Sequence, residues 1–566
     1  MVSIALNPGF ALILGGFGAF AAPRAIRGGV MLAAALACIA LIFTPEFGAY
    51  DTFAQIGLEV VLLRLDAHAQ IFGLAFAFAA ILMAIGSSDR RNRYEDAALF
   101  FMAGGAASAT FAGDLISFVA ATELASIAGA WIVLAAGGQA ALSAGVRLLI
   151  WQGLGGLLLL SGVAFHLADG FDTTFARLPA DSVGGAFFLA GLAIKAAAPF
   201  VHVWFKDAVA SASPVGAAAI SIFSVKLALY ALARGYSGEA ALVPIGAAMA
   251  VMGALYALAE DDLRRALSYS LISQCGLAIA AIGIGSPLAL AGAAAHAFTT
   301  TISYGLLFLA LGAVMMRTGT ARASELGGLG KAMPLTALFA IVGGLTAATV
   351  PGLAGYASAV LALEAVAREG LREAWLALSA ALAATAAFTA IRISVGVFFG
   401  RARKTDIAEA PFGLLLAMAL ASFFCVAVGL APGWLLNMLP PGPVAFSAFA
   451  LDRLIPHLEL VAAAAAGYAA LHFLGWAQAG RRGDLLDVDA LYRGPFAAAA
   501  RAVGRLLLGM DRALKAVGRA AMRQAGQGLA DFAARTDQPY SARGLVVLGQ
   551  LTGLFILIAM FYVFAG

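Results

Sequence analysis

The sequence predicts an all-α polytopic membrane protein, and three observations carry that prediction. The chain has 566 residues, of which 62% are hydrophobic and only 12% charged, with a mean hydropathy of +0.94. Its apolar runs recur along almost the whole length, and about 20 apolar residues are enough to cross a bilayer. Unpaired backbone groups are not tolerated in lipid, so the spans must be helices. The alternating ten-residue strands of a transmembrane barrel are absent from the sequence. The 65 glycines suit close helix–helix approach.

Apolar runs separated by charged or Gly/Pro-rich loops give about sixteen transmembrane helices on a ~20-residue criterion. They fall near 4–22, 28–44, 69–87, 96–112, 115–136, 146–168, 184–203, 214–234, 240–258, 266–284, 288–316, 333–367, 371–400, 411–430, 457–478 and 543–565. The first run has no basic segment before it and reads as a retained span, not a cleaved signal. The run 333–367 is too long for one span and contains Pro351-Gly352, so a broken helix is expected there.

Basic loops fall on alternate connections, at 23–27, 89–93, 261–265, 317–331, 401–404 and 481–482, while 44–51 and 168–181 are acidic or poor in basic residues. The positive-inside rule then places the basic loops in the cytoplasm and both termini outside. The expected location is a bacterial-type cytoplasmic (inner) membrane, with both termini on the periplasmic side.

Residues 494–535 are too charged to span. On a helical wheel Arg501, Arg505, Arg512, Lys515, Arg519 and Arg523 form one stripe, opposite Phe496, Val503, Leu507, Met510, Leu514, Val517 and Phe532. That pattern is a lateral amphipathic helix on the membrane surface, followed by a C-terminal anchor helix at 543–565. It serves either as a plain surface helix or as a strap across neighbouring helices or subunits.

Function is read from charges at membrane depth. Lys195 lies in an otherwise uncharged stretch, GGAFFLAGLAIKAAAPFVHVWF. An ammonium group there costs several kcal/mol unless it has a partner or a water-filled path. Pro199 follows four residues later and breaks the helix beside the charge, and broken helices beside buried ionisable groups mark ion pathways in transporters. Glu123 lies inside another span and Lys226 in a third. A lysine beside a carboxylate stays protonated, and without it desolvation favours release of the proton. His202, next to the break, can extend such a relay because imidazole titrates near neutrality. The structural alternatives are a static Glu123–Lys195 pair, a Lys226 that snorkels to the interface and a His202 that only caps the break. Asp114 reads as a loop-end residue, and Asp262 with Arg264 and Arg265 as a loop pair.

Cys38, Cys275 and Cys425 are far apart and suggest neither a metal site nor a disulfide framework. No haem, flavin, quinone or iron–sulfur motif is visible, so no cofactor is expected. The net charge of +4 does not point to nucleic acid.

Four stretches together carry a family resemblance: TELASIAGAWIVLA (122–135), KAAAPFVHVWFKDAVASASPVGAAAISIFSVKLALYALAR (195–234), DLRRALSYSLISQCG (262–276) and LGGLGKAMP (326–334). Over about residues 60–430 the chain resembles the antiporter-like membrane subunits shared by respiratory complex I (NADH:quinone oxidoreductase), Mrp-type multisubunit cation/proton antiporters and membrane-bound hydrogenases. The lateral helix and final span resemble the longest, distal subunit of complex I and its Mrp counterpart. The resemblance implies two inverted five-helix repeats, at 96–234 and 240–400, each with a broken helix. They would follow N-terminal helices (1–95) and precede C-terminal helices (411–478). It further implies that Glu123, Lys195 and Lys226 occupy the family's proton path, and that the partners are other membrane subunits of one complex, the lipid bilayer, and protons exchanged for Na⁺ in the Mrp setting.

The second repeat departs from the family. Tyr304 stands in SYGLLF (303–308) where a lysine is common, and Ala359 stands in GYASAV (355–360) where a lysine or glutamate is common. His296, Glu364 and Arg392 are the remaining candidates there, with His296 and Glu364 as relay groups. Pro199-Phe200 also permutes the family's usual order. The expected function is proton translocation in a multisubunit complex, with Mrp-type cation (Na⁺)/proton antiport ahead of a complex I-like or hydrogenase pump. A non-conducting structural subunit with a degenerate ion path is the rival from another class.

Overall fold

The computed structural model describes residues 6–473 except 56, 90–91, 401–406 and 441–445, together with 487–488 and scattered positions between 501 and 527. The chain divides into two units, Met1–Leu485 and Leu486–Gly566. In the second unit the described positions between 501 and 527 are helical and almost all exposed, among them Arg501, Arg505, Arg512, Lys515 and Arg523. The expected anchor helix at 543–565, and much of 494–535, lie outside the described residues.

The first unit is helical almost throughout. It opens with α1 (Pro8–Ala21) and α2 (Arg24–Phe43), then a hairpin of β1 (Gly48–Gln55) and β2 (Leu58–Leu65), then α3 (Ala67–Gly86). Next come α4 (Arg93–Phe111), α5 (Leu115–Ala135), α6 (Gly138–Ala168), α7 (Val183–Lys195), α8 (Val203–Ser211) and α9 (Pro214–Gly235). A second series follows with α10 (Leu242–Ala259), α11 (Leu263–Ile284), α12 (Pro287–Thr318), α13 (Pro334–Ala347), α14 (Ala354–Arg368), α15 (Arg372–Ala386) and, after a π-helical turn at Ala387–Ile393, α16 (Ser394–Phe398). The unit closes with α17 (Phe412–Leu430), the short α18 (Gly433–Leu436) and α19 (Leu451–Phe473). Among the described residues, ten helical segments are long and apolar enough to cross a membrane.

The hairpin corrects the all-α expectation. Its strands pair antiparallel from Gly48↔Leu65 to Gln55↔Leu58. Gly57, at φ 75°, supplies the left-handed backbone a two-residue turn needs. Val60 and Val61 favour an extended chain, and Leu63 and Leu65 point one face of β2 inward. The hairpin ties several helix ends together. Asp114 accepts from Ser117 N at 2.8 Å as the N-cap of α5, and from Val61 N at 2.9 Å in β2. Asn7, the N-cap of α1, donates to Leu62 O at 2.7 Å. Thr173 donates to Glu59 O at 2.5 Å.

The two helical series share a layout. α4 and α10 have 19 and 18 residues, α5 and α11 have 21 and 22, and α6 and α12 have 31 and 32. α5 and α11 both start on an aspartate N-cap, Asp114 and Asp262, each in an isolated bridge to a later loop, at Thr174 and Arg322. Because α5 starts at the hairpin and α11 at the opposite end of the bundle, the two series run in opposite directions.

Each series contains one broken helix, and the two breaks have the same backbone course. α7 stops at Lys195 and the chain passes Ala197 (φ 55°), Pro199 and Phe200 (φ 70°) before α8. α13 stops at Ala347 and passes Thr349 (φ 57°), Pro351 and Gly352 (φ 89°) before α14. Positive φ at Ala197, Phe200 and Thr349 is strained for residues with a Cβ. The same device holds both turns: Ala198 N donates to Ala193 O at 3.0 Å, and Val350 N to Leu345 O at 3.1 Å.

Two arginines read from sequence as loop or candidate path residues close helix ends instead. Arg264 is fully buried and donates to Ala210 O (2.8 Å), Ala212 O (2.7 Å) and Ser213 O (3.3 Å), where α8 runs out of intrahelical donors. Arg392, in the π-helical turn, donates to Ala257 O (3.0 Å), Leu258 O (2.9 Å) and Glu260 O (2.6 Å) at the end of α10. A guanidinium's planar fork of donors suits a splayed set of carbonyls.

Asp66, the N-cap of α3, accepts from Ala69 N at 2.9 Å and takes two bonds from Arg234 at the end of α9, at 2.9 and 2.7 Å. Burial pushes its carboxyl up, but the Arg234 guanidinium and the Ala69 amide outweigh burial and hold it below its usual value. A carboxylate with a depressed folded value stabilises fully above its unfolded value, near 3.9, and loses that contribution as pH falls through the folded one. Asp66→Ala is expected to cost about 2 kcal/mol from a lost cap and a lost charged hydrogen bond. Thermal unfolding in detergent at neutral pH checks this, and the gap between the two proteins should close below about pH 4.

Candidate functional site

Lys195 is the last residue of α7, so the break presents its ammonium to the neighbouring helices and not along a helix flank. Nζ donates to Glu123 Oε1 on α5 at 2.8 Å, to Ser126 Oγ at 3.0 Å and to Gln152 Oε1 on α6 at 3.2 Å. An ammonium has three protons, and this cage offers an acceptor for each. The burial is lopsided, with the Lys195 side chain 4% exposed and that of Glu123 31%. The carboxylate is therefore the member of the pair with room to move.

Glycine makes the cage possible. A Cβ on Gly156 would sit 2.3 Å from the Glu123 carboxylate, and one on Gly155 would touch the Lys195 stem at 3.5 Å. Ser126 lies three residues after Glu123, on the same face of α5. Sequence reasoning passed over Ser126, Gln152 and Gly156, although an amide and a hydroxyl inside apolar runs were the available signals.

A small cavity of about 10 Å³ adjoins Lys195, at the lower limit for one water. Ser126, Gln152 and Lys195 line it on one side, and Ser224 and Leu227 of α9 on the other. Lys226 lies between these two in α9. Its side chain is buried, with Nζ 2.7 Å from Thr300 Oγ1 on α12 and 3.7 Å from Cys275 Sγ. No carboxylate pairs with Lys226 among the described residues. It does not snorkel to an interface.

From Lys226 the polar groups continue across α12. Thr300 donates to His296 O at 2.5 Å. His296 Nδ1 lies 3.3 Å from Ser358 Oγ on α14, and Thr299 Oγ1 2.7 Å from the same hydroxyl. His296 is buried, and its Nε2 has no hydrogen-bond partner among the described residues. The stretch HAFTTTISY (296–304) was the sequence signal for this polar stripe. Tyr304 and Ala359 stand where charges were expected. Tyr304 shares a 2.7 Å hydrogen bond with Ser270, and Ala359 packs in an apolar cluster with Leu277 and Leu378.

The other candidates lie elsewhere. His202 is fully buried at the N-cap of α8, its ring 5.8 Å from that of Tyr269. Glu364 accepts from Arg368 at 2.9 Å and lies 3.8 Å from Arg453, apart from the chain through His296. A pair absent from the sequence reading, Arg147–Asp207 at 2.7 Å, joins α6 to α8, with Arg265 4.0 Å from the same carboxylate. No group of three or more metal-ligating side chains occurs among the described residues.

With this geometry in place, the comparisons with known proteins identify the region that holds it. Residues 112–386 match the family described as NADH:quinone oxidoreductase/Mrp antiporter, transmembrane. This stretch is an antiporter-like domain. The antiporter-like chain is 27% identical over 361 residues to hydrogenase-4 component B of Escherichia coli (strain K12), covering 56% of this chain and 53% of that protein. It is 29% identical over 327 residues to NADH-quinone oxidoreductase subunit N of Desulforudis audaxviator, covering 53% and 65%. It thus spans between half and two thirds of these relatives. In fold it is similar to a chain of the Mrp complex from Dietzia sp. DQ12-45-1b, with a TM-score of 0.73 at 22% identity, over 97% of this chain and 66% of that one. The chain is therefore a multi-pass membrane protein whose central region matches that family and whose fold is like that of an Mrp chain.

Gly156→Ala is expected to push the Glu123 carboxylate off Lys195 while leaving the fold intact, because the clashing atoms are the end of a flexible side chain. Thermal unfolding in detergent should show a loss of about 1.5–3 kcal/mol, the worth of a charge-assisted hydrogen bond.

Proposed function

We propose that this chain translocates protons within a multisubunit membrane complex, through Glu123, Lys195 and Lys226. The observation that carries the reading is the fully hydrogen-bonded Lys195 ammonium at the end of a broken helix, with a partly exposed carboxylate as its counter-charge. When Glu123 is close, Lys195 holds its proton. When the carboxylate swings away, desolvation favours release, and the water-sized cavity beside Lys195 is walled by Ser224 and Leu227 of α9, the helix that also carries Lys226. Lys226 lacks a carboxylate and rests on neutral acceptors, so it is suited to receive a proton transiently and pass it on through the hydroxyls of α12. His202 and His296 are relay groups in this reading, Glu364 lies toward the surface, and the breaks at Pro199 and Pro351 give the charges access.

The setting we favour is Mrp-type cation (Na⁺)/proton antiport, supported by the fold likeness to an Mrp chain and by the uncharged Tyr304 and Ala359. A complex I-like or hydrogenase pump is the alternative, supported by the names of the curated relatives. No redox centre is assigned to this chain, so electron transfer would belong to partner subunits. The architecture that goes with the function is about sixteen spans with inverted repeats at 96–234 and 240–400, flanked by 1–95 and 411–478, with a lateral helix at 494–535 and an anchor at 543–565. The matched helix lengths, the opposite directions and the two like-shaped breaks support the repeats. The chain would lie in the bacterial inner membrane with both termini periplasmic.

One observation favours a non-conducting scaffold instead: Ala359, where a charge was expected, is fully buried and packs in an apolar cluster with Leu277 and Leu378. ΔpH-driven exchange in vesicles carrying the intact complex separates the readings. Lys195→Ala and Lys226→Ala should each lower exchange at least tenfold, equal to about 1.4 kcal/mol of barrier or more, without loss of assembly. Native exchange rates in both variants would make the chain a scaffold.

A further inference from the structure

His457 on α19 sits where no part of the proposed path has yet reached. Its Nε2 lies 2.9 Å from Thr349 Oγ1 and 3.0 Å from Thr349 O, at the strained residue of the second helix break. A backbone oxygen only accepts, so the neutral ring carries its proton on Nε2, an assignment made from the network. His457 is buried, yet it also lines a cavity of about 520 Å³ between α14, α15 and α19. That volume leaves room for water beside its carboxylates, against the roughly 10–15 Å³ one water needs. Glu364, Asp452 and Glu459 face into it, with Arg453, and Ser379 of α15 lines its inner wall. The cavity lies in the half of the bundle that carries the β-hairpin, because α14 ends and α19 begins at that end.

The polar chain from Lys226 leads to the same break. Lys226 bonds Thr300, which donates to the main-chain oxygen of His296; the His296 ring in turn meets Ser358, whose Oγ donates to Gly355 O at 3.0 Å. Gly355 is pressed against the break, since a Cβ there would stand 2.0 Å from Thr346 O. Resting on the proton-path reading above, we propose that His457 and the acidic cavity behind it form the proton outlet of the second half, in place of the charges missing at Tyr304 and Ala359. Outward transfer starts from the Nδ1–H ring: Nε2 takes the Thr349 hydroxyl proton, which the path replaces, as Nδ1 gives its own proton to cavity water, and the neutral ring is left in the Nε2–H form until a turn of the imidazole resets it. Glu364, Asp452 and Glu459 draw that proton outward, and Arg368 and Arg453 temper their field. Tyr356, whose ring lies 5.1 Å from that of His457, holds the imidazole from the side of α14.

The test uses the intact complex in vesicles, with ΔpH-driven exchange measured with and without imidazole in the bath on the cavity side. His457→Ala should exchange at least tenfold more slowly and regain rate with added imidazole, which fits the vacated space. His457→Gln should be equally slow and regain nothing, because its side chain occupies the site. Lys195→Ala should be inactive with or without imidazole. A native rate in His457→Ala, or a slow rate that imidazole leaves unchanged, overturns the outlet while an inactive Lys195→Ala keeps the proton path. If His457→Ala does not assemble, His457→Gln decides, and a native rate there overturns the proposal. A native rate in Lys195→Ala removes the proton path itself, whatever His457 does.

Discussion

A lysine ammonium enclosed among apolar helices must have its three protons met, and much of the first helical series is arranged to meet them. Removing one partner of such a buried pair leaves an uncompensated charge worth about 3–5 kcal/mol, so Lys195, Glu123, Ser126 and Gln152 constrain one another and the three helices that carry them. The α7 helix has to stop at Lys195, or the ammonium would lie along the helix flank. Stopping it requires Pro199 and two non-glycine residues at positive φ. α6 has to come close enough for Gln152 to accept, and Gly155 and Gly156 allow that approach. The strain in the break and the glycine-lined groove are both consequences of placing one cation there.

The same constraint explains the contrast between the two halves. Their breaks have a common backbone course, but Ala347 stands at the helix end where Lys195 stands in the first. With no ammonium to satisfy, the second half replaces the acid and amide with hydroxyls, one imidazole and packed alanines. Lys226 sits between the two, reaching from α9 to Thr300 on α12. The arginines serve another purpose: Arg264 and Arg392 close the ends of α8 and α10, where carbonyls lack helical donors.

Helix positions were readable from hydropathy because membrane spans are set by length and apolarity alone. The two proline breaks were readable because proline removes a donor and restricts its neighbour. The hairpin was not, because 48–65 lies between spans in a short segment whose alternation is weak against the surrounding apolarity. Lys195 and Glu123 stood out as charges in apolar runs, yet their cage did not. Ser126, Gln152 and Gly156 are ordinary residue types, and only the helix packing brings them together. Arg264 looked like a loop residue for the same reason, since its acceptors lie about 50 residues earlier in the chain. His457 follows Pro456 near the start of α19, and nothing local in the sequence links it to Thr349, 108 residues away.

The account rests on the claim that Glu123 and Lys195 act as one unit, the carboxylate setting whether the ammonium keeps its proton. A double-mutant cycle on exchange rate tests that claim directly, using Glu123→Gln, Lys195→Gln and the double variant in the assembled complex. The account predicts strong non-additivity, with the double variant no slower than the slower single variant. Losses that add across the two sites would show that the residues act independently, and would contradict it.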